Sequence, residues 1–145
     1  MIIYIDMDDV LCDYSHAHAK ALIQNPSQGF PQSQHGFFEN LAPIEGGLET
    51  VKHLKKSNNY EPYILTAPSE RNPLSYTEKR LWIEKHLGFD FVERLIICSD
   101  KSLLRGDILI DDHISGKGQE NFAGQLIHFG SEEFLNWVMV QKLLK

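Results

Sequence analysis

Three aspartates stand together directly after the first apolar run of the chain. The run IIYI at residues 2–5 is followed by Asp6, Asp8 and Asp9. A short apolar, β-branched run predicts a fully buried strand, and open α/β sheets bind their ligands beyond the carboxyl ends of such strands. Carboxylates this close repel one another, and a divalent cation such as Mg²⁺, which prefers oxygen ligands, is the simplest partner for them. The same residues also fit an acidic turn in which Asp9 caps the following helix.

Residues able to bind phosphate or metal follow three later apolar runs. Thr66 ends the second run, Lys101 stands just past the third, and Asp111 and Asp112 follow the fourth. In a parallel sheet all these strand ends lie on one edge. The carboxylates there can hold Mg²⁺, while the lysine and the hydroxyl can hold phosphate oxygens. One carboxylate remains to attack phosphorus, so the set indicates phosphoryl transfer.

The elements that must position these residues alternate between strands and helices. Buried strands are predicted over residues 2–5, 60–65, 94–98, 107–110 and 125–129, and helices over 11–23, 46–56, 73–87 and 131–144. Ser131 is the predicted cap of the last helix. Phe37 and Phe38 are predicted core residues, with a platform for a ligand as the alternative. The alternation predicts an α/β protein: a doubly wound parallel five-stranded sheet with helices on both faces and right-handed crossovers.

Composition limits the classes of partner. A chain of 145 residues with 42% hydrophobic and 23% charged residues is expected to form a single domain, residues 1–145. Its net charge of −6 argues against a long nucleic-acid duplex but allows a small phosphorylated substrate. Cys12 and Cys98 lack metal-binding spacing and favour a reducing compartment. With neither a signal segment nor a membrane-spanning apolar run in the sequence, we expect no membrane contact and a cytoplasmic location.

Four ordered motifs of this chain resemble those of a known superfamily. DMDDV, a hydrophobic strand ending in Thr, then Lys, then ILIDD resemble the motifs of the haloacid dehalogenase superfamily of phosphohydrolases. The stretches YTEKRLWIEKHLGFDFVERLIICSDKSLLRGDILIDDH and GFFENLAPIEGGLETV resemble the 5'(3')-deoxyribonucleotidases within it. The resemblance covers most of the chain. It implies a Rossmann-like haloacid dehalogenase fold with a short helical cap.

The resemblance assigns roles to the acidic residues. It implies that Asp6 is the nucleophile that forms an aspartyl-phosphate intermediate, and that Asp8 is the acid and then the base. It implies that Mg²⁺ is held by the Asp6 side chain, the Asp8 backbone carbonyl and Asp112. Asp111 would then reach the metal through water, although the sequence leaves the choice between Asp111 and Asp112 open.

The resemblance also assigns the substrate contacts. Thr66 and Lys101 correspond to the phosphate-binding residues, and Tyr14 falls where the deoxyribonucleotidases place an aromatic residue near sugar and base. A packing tyrosine is the alternative for Tyr14. The chain departs from the family pattern in two ways. Asp9 stands where glycine is frequent, and the cap insertion, about residues 15–43, is short and lacks the counterpart of an aromatic segment that clamps the base.

Three functions are compatible with these observations. A Mg²⁺-dependent phosphatase for a nucleoside monophosphate, favouring deoxyribonucleotides, is the first. A phosphatase for another small phosphoester, such as a sugar phosphate, is the second, because a short cap leaves the site open. A non-enzymatic phosphoacceptor or binding domain is the third. Receiver domains, however, place their acceptor Asp after the third strand and their Lys after the fifth. A homodimer, in which a second copy covers the site, is a further expectation.

Overall fold

The computed structural model describes residues 1–144, which contain a five-stranded parallel sheet. The strands are β1 (Ile2–Ile5), β2 (Glu61–Thr66), β3 (Leu95–Ile97), β4 (Ile108–Asp111) and β5 (Gln125–His128). Their order is β3-β2-β1-β4-β5, and every neighbouring pair is parallel. All five predicted strands are confirmed. The prediction that the third is buried is wrong, since β3 is only half-buried along its length at the sheet edge.

Four α-helices accompany the sheet, joined by short 3₁₀ turns. The helices are α1 (Tyr14–Gln24), α2 (Gly47–Lys56), α3 (Ser75–Leu87) and α4 (Trp137–Leu143). The 3₁₀ turns are Pro31–Ser33, Phe89–Arg94, Lys101–Leu103 and Gln119–Asn121. Residues 15–43, which the sequence predicts to be the cap, therefore consist of most of α1, one 3₁₀ turn and loops. In residues 1–144 no helix has the length and apolar character needed to cross a membrane.

The direction of winding reverses between β1 and β4. The chain steps from β1 to β2 to β3 on one side, then crosses to β4 and β5 on the other. Because crossovers are right-handed, a reversal of direction moves the connections to the opposite face of the sheet. The doubly wound α/β fold is thus confirmed. The gap between the carboxyl ends of β1 and β4 is the switch point at which such sheets bind ligands.

The two faces of the sheet are covered differently. Val51 of α2, Trp82 of α3 and Trp137 of α4 belong to the larger core, on the face that carries Ile5 and Ile110. A smaller core on the other face contains Tyr4, Leu65, Leu109 and Phe122. The connections on that face, residues 98–107 and 112–124, are short and contain 3₁₀ turns but no α-helix. Such short connections leave little room for a complete crossover helix.

A tight turn delays the start of α1. The helix begins at Tyr14 and not at the predicted Leu11, because the carbonyl oxygen of Met7 accepts the backbone N–H groups of residues 10, 11 and 12 at 2.8–3.1 Å. These donors are therefore used by the turn and not by a helix. The turn keeps residues 8 and 9 at the edge of the sheet.

The cap of α1 is Asp13, not Asp9. The carboxylate of Asp13 accepts the backbone N–H of His16 at 3.2 Å, as an N-cap does. Asp9 has a φ of 59°, and its carboxylate accepts the backbone N–H and the hydroxyl of Ser15 at 2.8 and 2.5 Å. Asp9 is therefore not the N-cap residue that the sequence suggests, but its carboxylate accepts the N–H of Ser15 in the first turn of α1 and ties that turn to the end of β1.

The last helix starts later than predicted. Ser131 accepts the N–H of Phe134 at 3.2 Å in a bend, whereas Asn136 caps α4 by accepting the N–H of Met139 at 3.2 Å. Trp137 fixes this start, since its indole N–H donates to the carbonyl of Val10 at 2.9 Å. That bond ties α4 to the turn after β1.

Replacing the observed cap should weaken the fold by a measurable amount. We expect Asn136→Ala to lower the free energy of unfolding in urea by about 1 kcal/mol, because the backbone N–H of Met139 loses its side-chain acceptor. Glu132→Ala, at an exposed position of the preceding bend, is the matched control and should change stability by less than about 0.5 kcal/mol. Equal effects of both substitutions would contradict the assignment of the cap.

Candidate active site

A cavity of about 480 Å³ opens at the carboxyl edge of the sheet. Its volume lies in the range of small-molecule sites. Residues predicted from the sequence line it: Asp6, Asp8, Tyr14, Thr66, Lys101 and Asp112. Asp111 lies behind them and is fully buried. The structure therefore brings the ends of β1, β2 and β4 and the turn at Lys101 together at one site.

Lys101 is buried between two carboxylates. Its ammonium lies 2.9 Å from Asp6 Oδ1 and 2.5 Å from Asp111 Oδ2, and 1% of the residue is exposed. Burial alone would lower the pKa of Lys101, but the charges of Asp6 and Asp111 outweigh it and raise that pKa. The lysine is thus held as a cation between β1 and β4, where it balances the two acids.

Asp111 has protein donors on both of its oxygens. Besides Lys101, its carboxylate accepts the backbone N–H of His113 at 2.9 Å, and the amide of Gln119 lies 3.3 Å from each oxygen. Burial and the charge of Asp6 raise the pKa of Asp111, and Lys101 opposes that rise. Asp111 is therefore a structural anchor for Lys101 and has no oxygen free for a direct ligand.

Asp112 has a free oxygen. Its Oδ2 lies 3.0 Å from His113 Nδ1, whereas its buried Oδ1 has no hydrogen-bond partner among the described residues. Burial and the charges of Asp6 and Asp111 raise the pKa of Asp112 to about 6. A buried carboxylate oxygen without a donor is costly unless a cation meets it.

The donor set fits a hard divalent cation. Asp6 and Asp112 line the same cavity and offer carboxylate oxygens, the ligand type that Mg²⁺ prefers. Ligand atoms of Asp111, Asp112 and His113 also lie within 4.8 Å of one another. Because Asp111 is saturated by protein donors, the unpartnered Oδ1 of Asp112 is the better ligand atom.

Lys79 is a central residue of the site that the sequence interpretation missed. It is completely buried in α3, and its ammonium donates to Asp8 Oδ2 at 2.9 Å, to Thr66 Oγ1 at 2.7 Å and to the carbonyl of Ala67 at 2.7 Å. The spacing of Lys79 from nearby apolar residues could have indicated that it is buried. Lys79 lies three and four residues before the core residues Trp82 and Ile83, so it shares their buried helix face.

The environment of Asp8 affects its proton affinity. Burial raises the pKa of Asp8, the charge of Lys79 opposes the rise, and the charge of Asp6 adds to it. The net direction is upward, so the site shifts this carboxyl group towards its protonated form. The thiol of Cys12 lies 3.6 Å from Asp8 Oδ1.

Aromatic rings border the cavity on the cap side. Tyr14 stacks on Phe38 with ring centroids 6.0 Å apart and meets the edge of Phe37 at 5.5 Å. Phe38 is a core residue, as predicted, and it also lines the cavity. The two interpretations of Tyr14 do not exclude each other, because its ring both packs against Phe38 and lines the cavity.

Two buried polar side chains fasten the cap segment to the sheet domain. Glu78 of α3 accepts the backbone N–H groups of Phe38 and Glu39 at 3.2 and 3.4 Å. Asn72 donates to the carbonyls of Gln32 and Gln34 at 3.0 and 3.4 Å. Glu78 thus holds the backbone at Phe38 from the helix whose Lys79 binds Asp8.

Comparison with known proteins finds a consistent set of relatives. A family model described as "5' nucleotidase, deoxy (Pyrimidine), cytosolic type C protein" matches residues 27–137. A "Putative 5'(3')-deoxyribonucleotidase" of Vibrio phage KVP40 is 37% identical over 141 residues, covering 96% of this chain and 81% of that protein.

Two mammalian relatives match a shorter part of the chain. The human "5'(3')-deoxyribonucleotidase, cytosolic type" is 41% identical over 85 residues, which cover 59% of this chain and 42% of that protein. The mouse "5'(3')-deoxyribonucleotidase, mitochondrial" is 37% identical over 84 residues, which cover 58% of this chain and 38% of that protein. The match thus spans about two fifths of the length of the mammalian proteins.

The two neighbouring aspartates should respond oppositely to amide substitution. Without metal at pH 7.5, we expect Asp111→Asn to destabilise the protein by about 3–5 kcal/mol, because Lys101 loses a buried partner. Asp112→Asn should stabilise it by roughly 1–2 kcal/mol, since it removes the cost of ionising a group whose pKa is raised in the fold. Urea unfolding in EDTA measures both.

The pH dependence provides the check on Asp112. The destabilisation that the charge of Asp112 causes is fully present above about pH 6. It disappears as the pH falls towards 3.8, the ordinary pKa of an aspartate. The advantage of Asp112→Asn over the unsubstituted protein should shrink over the same interval. An advantage that is constant between pH 4 and pH 7.5 would contradict this account.

Proposed function

The chain belongs to the 5'(3')-deoxyribonucleotidase family of the haloacid dehalogenase superfamily, and we propose that it is a Mg²⁺-dependent nucleotidase working through an aspartyl-phosphate intermediate. Its substrate would be a nucleoside monophosphate, with deoxyribonucleotides favoured by the names of its relatives. One observation carries the proposal. A nucleophile candidate, an acid candidate and the phosphate-binding candidates line one cavity, next to a carboxylate oxygen that lacks a partner.

The first half-reaction transfers the phosphoryl group to the protein. A carboxylate oxygen of Asp6 attacks phosphorus, the bond between phosphorus and the ester oxygen breaks, and Asp8 gives its proton to the departing oxygen. Lys101, 2.9 Å from Asp6, supports this step by balancing the charge of the phosphate and the nucleophile. Thr66 donates a hydrogen bond to a phosphate oxygen. The products are an alcohol and an acyl phosphate on Asp6.

The second half-reaction releases phosphate. Asp8, now ionised, takes a proton from a water molecule whose oxygen attacks phosphorus, and the bond to the Asp6 oxygen breaks. Asp8 is protonated again and Asp6 is free, so the site is ready for another cycle. Asp8 lines the same cavity as Asp6, within reach of both steps, and burial raises its pKa in the direction that the proton-donating first step needs.

The cation site would be built from Asp6 and Asp112, together with the backbone carbonyl of Asp8. Mg²⁺ bound there would offset the negative charge of the acids and of the phosphate. The unpartnered Oδ1 of Asp112 supports this choice over Asp111, whose oxygens accept from protein donors.

The cap side supports a nucleoside as the leaving group. Tyr14 and Phe38 present aromatic surface to the cavity, and aromatic faces stack on bases. A homodimer that covers the short cap stays a prediction. The thiols of Cys12 and Cys98 are not paired with each other, and we infer a reducing, cytoplasmic location from them.

A substrate panel tests the proposed activity. Phosphate release from deoxy- and ribonucleoside 5'- and 3'-monophosphates and from sugar phosphates should show a preference for deoxyribonucleotides. Asp6→Asn should reduce turnover at least about 10³-fold, because an amide is a poor nucleophile. Substantial residual turnover by Asp6→Asn would eliminate Asp6 as nucleophile, and a preference for sugar phosphates would favour the second function.

Metal removal tests the cation site. EDTA should abolish activity and added Mg²⁺ should restore it. Calorimetry should show Mg²⁺ binding that Asp112→Asn weakens by about 10- to 100-fold, a loss of the size seen when metal-site groups are removed. His128→Ala, close to the Asp112 backbone but not to its carboxylate, is a matched control that should bind Mg²⁺ normally. Activity that is indifferent to EDTA would refute the metal assignment.

A further inference from the structure

We propose that Lys79 is a positioning residue for the hydrolysis proposed above: its buried ammonium fixes Thr66 as a hydrogen-bond donor to phosphate and holds Asp8 in place for proton transfer. This inference rests on the proposed function, since both residues act on the same substrate. Lys79 itself does not line the cavity and is completely buried, so it acts through the two residues that do.

The hydrogen-bond capacity of Lys79 is fully used. An ammonium group has three protons and no acceptor, and it cannot be buried without partners. The three acceptors are Asp8 Oδ2, Thr66 Oγ1 and the carbonyl of Ala67, all within 2.9 Å of the nitrogen. They belong to two strand ends, β1 and β2. One cation therefore sets the relative position of the candidate acid and the candidate phosphate-binding hydroxyl.

The direction of the Thr66 hydrogen bond follows from this contact. Because an ammonium only donates, Thr66 Oγ1 must accept from Lys79, and its own hydrogen must point elsewhere. The other contact of the hydroxyl is the carbonyl of Ala67 at 3.4 Å, a weak one, and that carbonyl already accepts from Lys79 at 2.7 Å. The hydroxyl hydrogen is left for an acceptor in the cavity, such as a phosphate oxygen.

The same contact orders the carboxylate of Asp8. Lys79 occupies Oδ2, while Oδ1 has as its contact the thiol of Cys12 at 3.6 Å, which is a weak donor. Oδ1 is therefore the oxygen available to exchange a proton with the leaving group. Lys79 also offsets the charge of Asp8 as Lys101 offsets that of Asp6. Each candidate reacting acid thus has its own buried lysine.

The leaving-group dependence of Lys79→Met tests the role towards Asp8. A nucleoside monophosphate needs a proton on its departing oxygen, whereas p-nitrophenolate leaves well without one. We expect Lys79→Met to reduce kcat for a deoxyribonucleoside monophosphate by about 10- to 100-fold more than kcat for p-nitrophenyl phosphate. In an Asp8→Asn background the same substitution should leave the ratio of the two rates unchanged. The ratio is independent of the fraction of enzyme that is folded, so a purely structural loss cannot produce the change.

Binding of inorganic phosphate tests the role towards Thr66. Measured by calorimetry in Mg²⁺, the phosphate Kd of Lys79→Met should rise about tenfold or more, and that of Thr66→Val by a similar factor, with no further rise in the double variant. Lys79→Arg keeps the charge but not the compact geometry of three donors. Its phosphate Kd should lie between those of the unsubstituted protein and Lys79→Met. Lys85→Met, at an exposed position of the same helix, is the control and should leave both readouts unchanged.

The rate ratio and the phosphate Kd test the two roles of Lys79 separately. A rate ratio that stays the same in Lys79→Met would overturn its role towards Asp8, and an unchanged phosphate Kd would overturn its role towards Thr66. If the unsubstituted protein hydrolyses no member of the substrate panel, the proposed function fails. The phosphate Kd then still decides whether Lys79 orients Thr66, because it needs no turnover.

Discussion

The charge balance at the carboxyl edge of the sheet is the constraint on which this structure depends. Asp6, Asp8 and Asp111 lie close together, Asp6 and Asp111 buried and Asp8 partly buried, and unpaired ions in such positions are costly. Two buried lysines balance these charges: Lys79 pairs with Asp8, and Lys101 pairs with Asp6 and Asp111. With these pairs in place, the raised pKa of Asp112 and its free oxygen identify the remaining unbalanced position. That position is where a divalent cation would complete the balance.

Topology explains why these groups meet. The reversal of winding between β1 and β4 leaves their carboxyl ends uncovered, and Lys101 bridges them from the turn after β3. Lys79 bridges β1 to β2 from within α3 in the same way. Each lysine therefore joins neighbouring strands at their ends. Substituting either lysine would disturb the relative position of two strand ends as well as the local charge balance.

Much of this arrangement was predictable from the sequence, because it depends on strand ends. Apolar runs identify parallel strands, and parallel strands bring Asp6, Thr66 and Asp112 to one edge whatever the details of the helices. Helix boundaries were less predictable, since they depend on tertiary contacts. Trp137 fixes the start of α4 through the carbonyl of Val10, which no local pattern near residue 131 reveals. The covering of the second sheet face by 3₁₀ turns likewise depends on the length of the connections.

The role of Lys79 was not predicted from the sequence for a related physical reason. A lysine in an amphipathic helix is normally solvated, and only its position on the face of Trp82 shows that this one is buried. Its neighbour Glu78 lies on the same face and binds the backbone at Phe38. Two adjacent charged residues of α3 thus connect the helix to the two sides of the cavity, the strand ends with Asp8 and the aromatic cap side. Both side chains are buried, so α3 holds the cap side at Phe38 and the candidate acid Asp8. Changes on this face of α3 should therefore disturb the cavity lining at Phe38 and at Asp8 together.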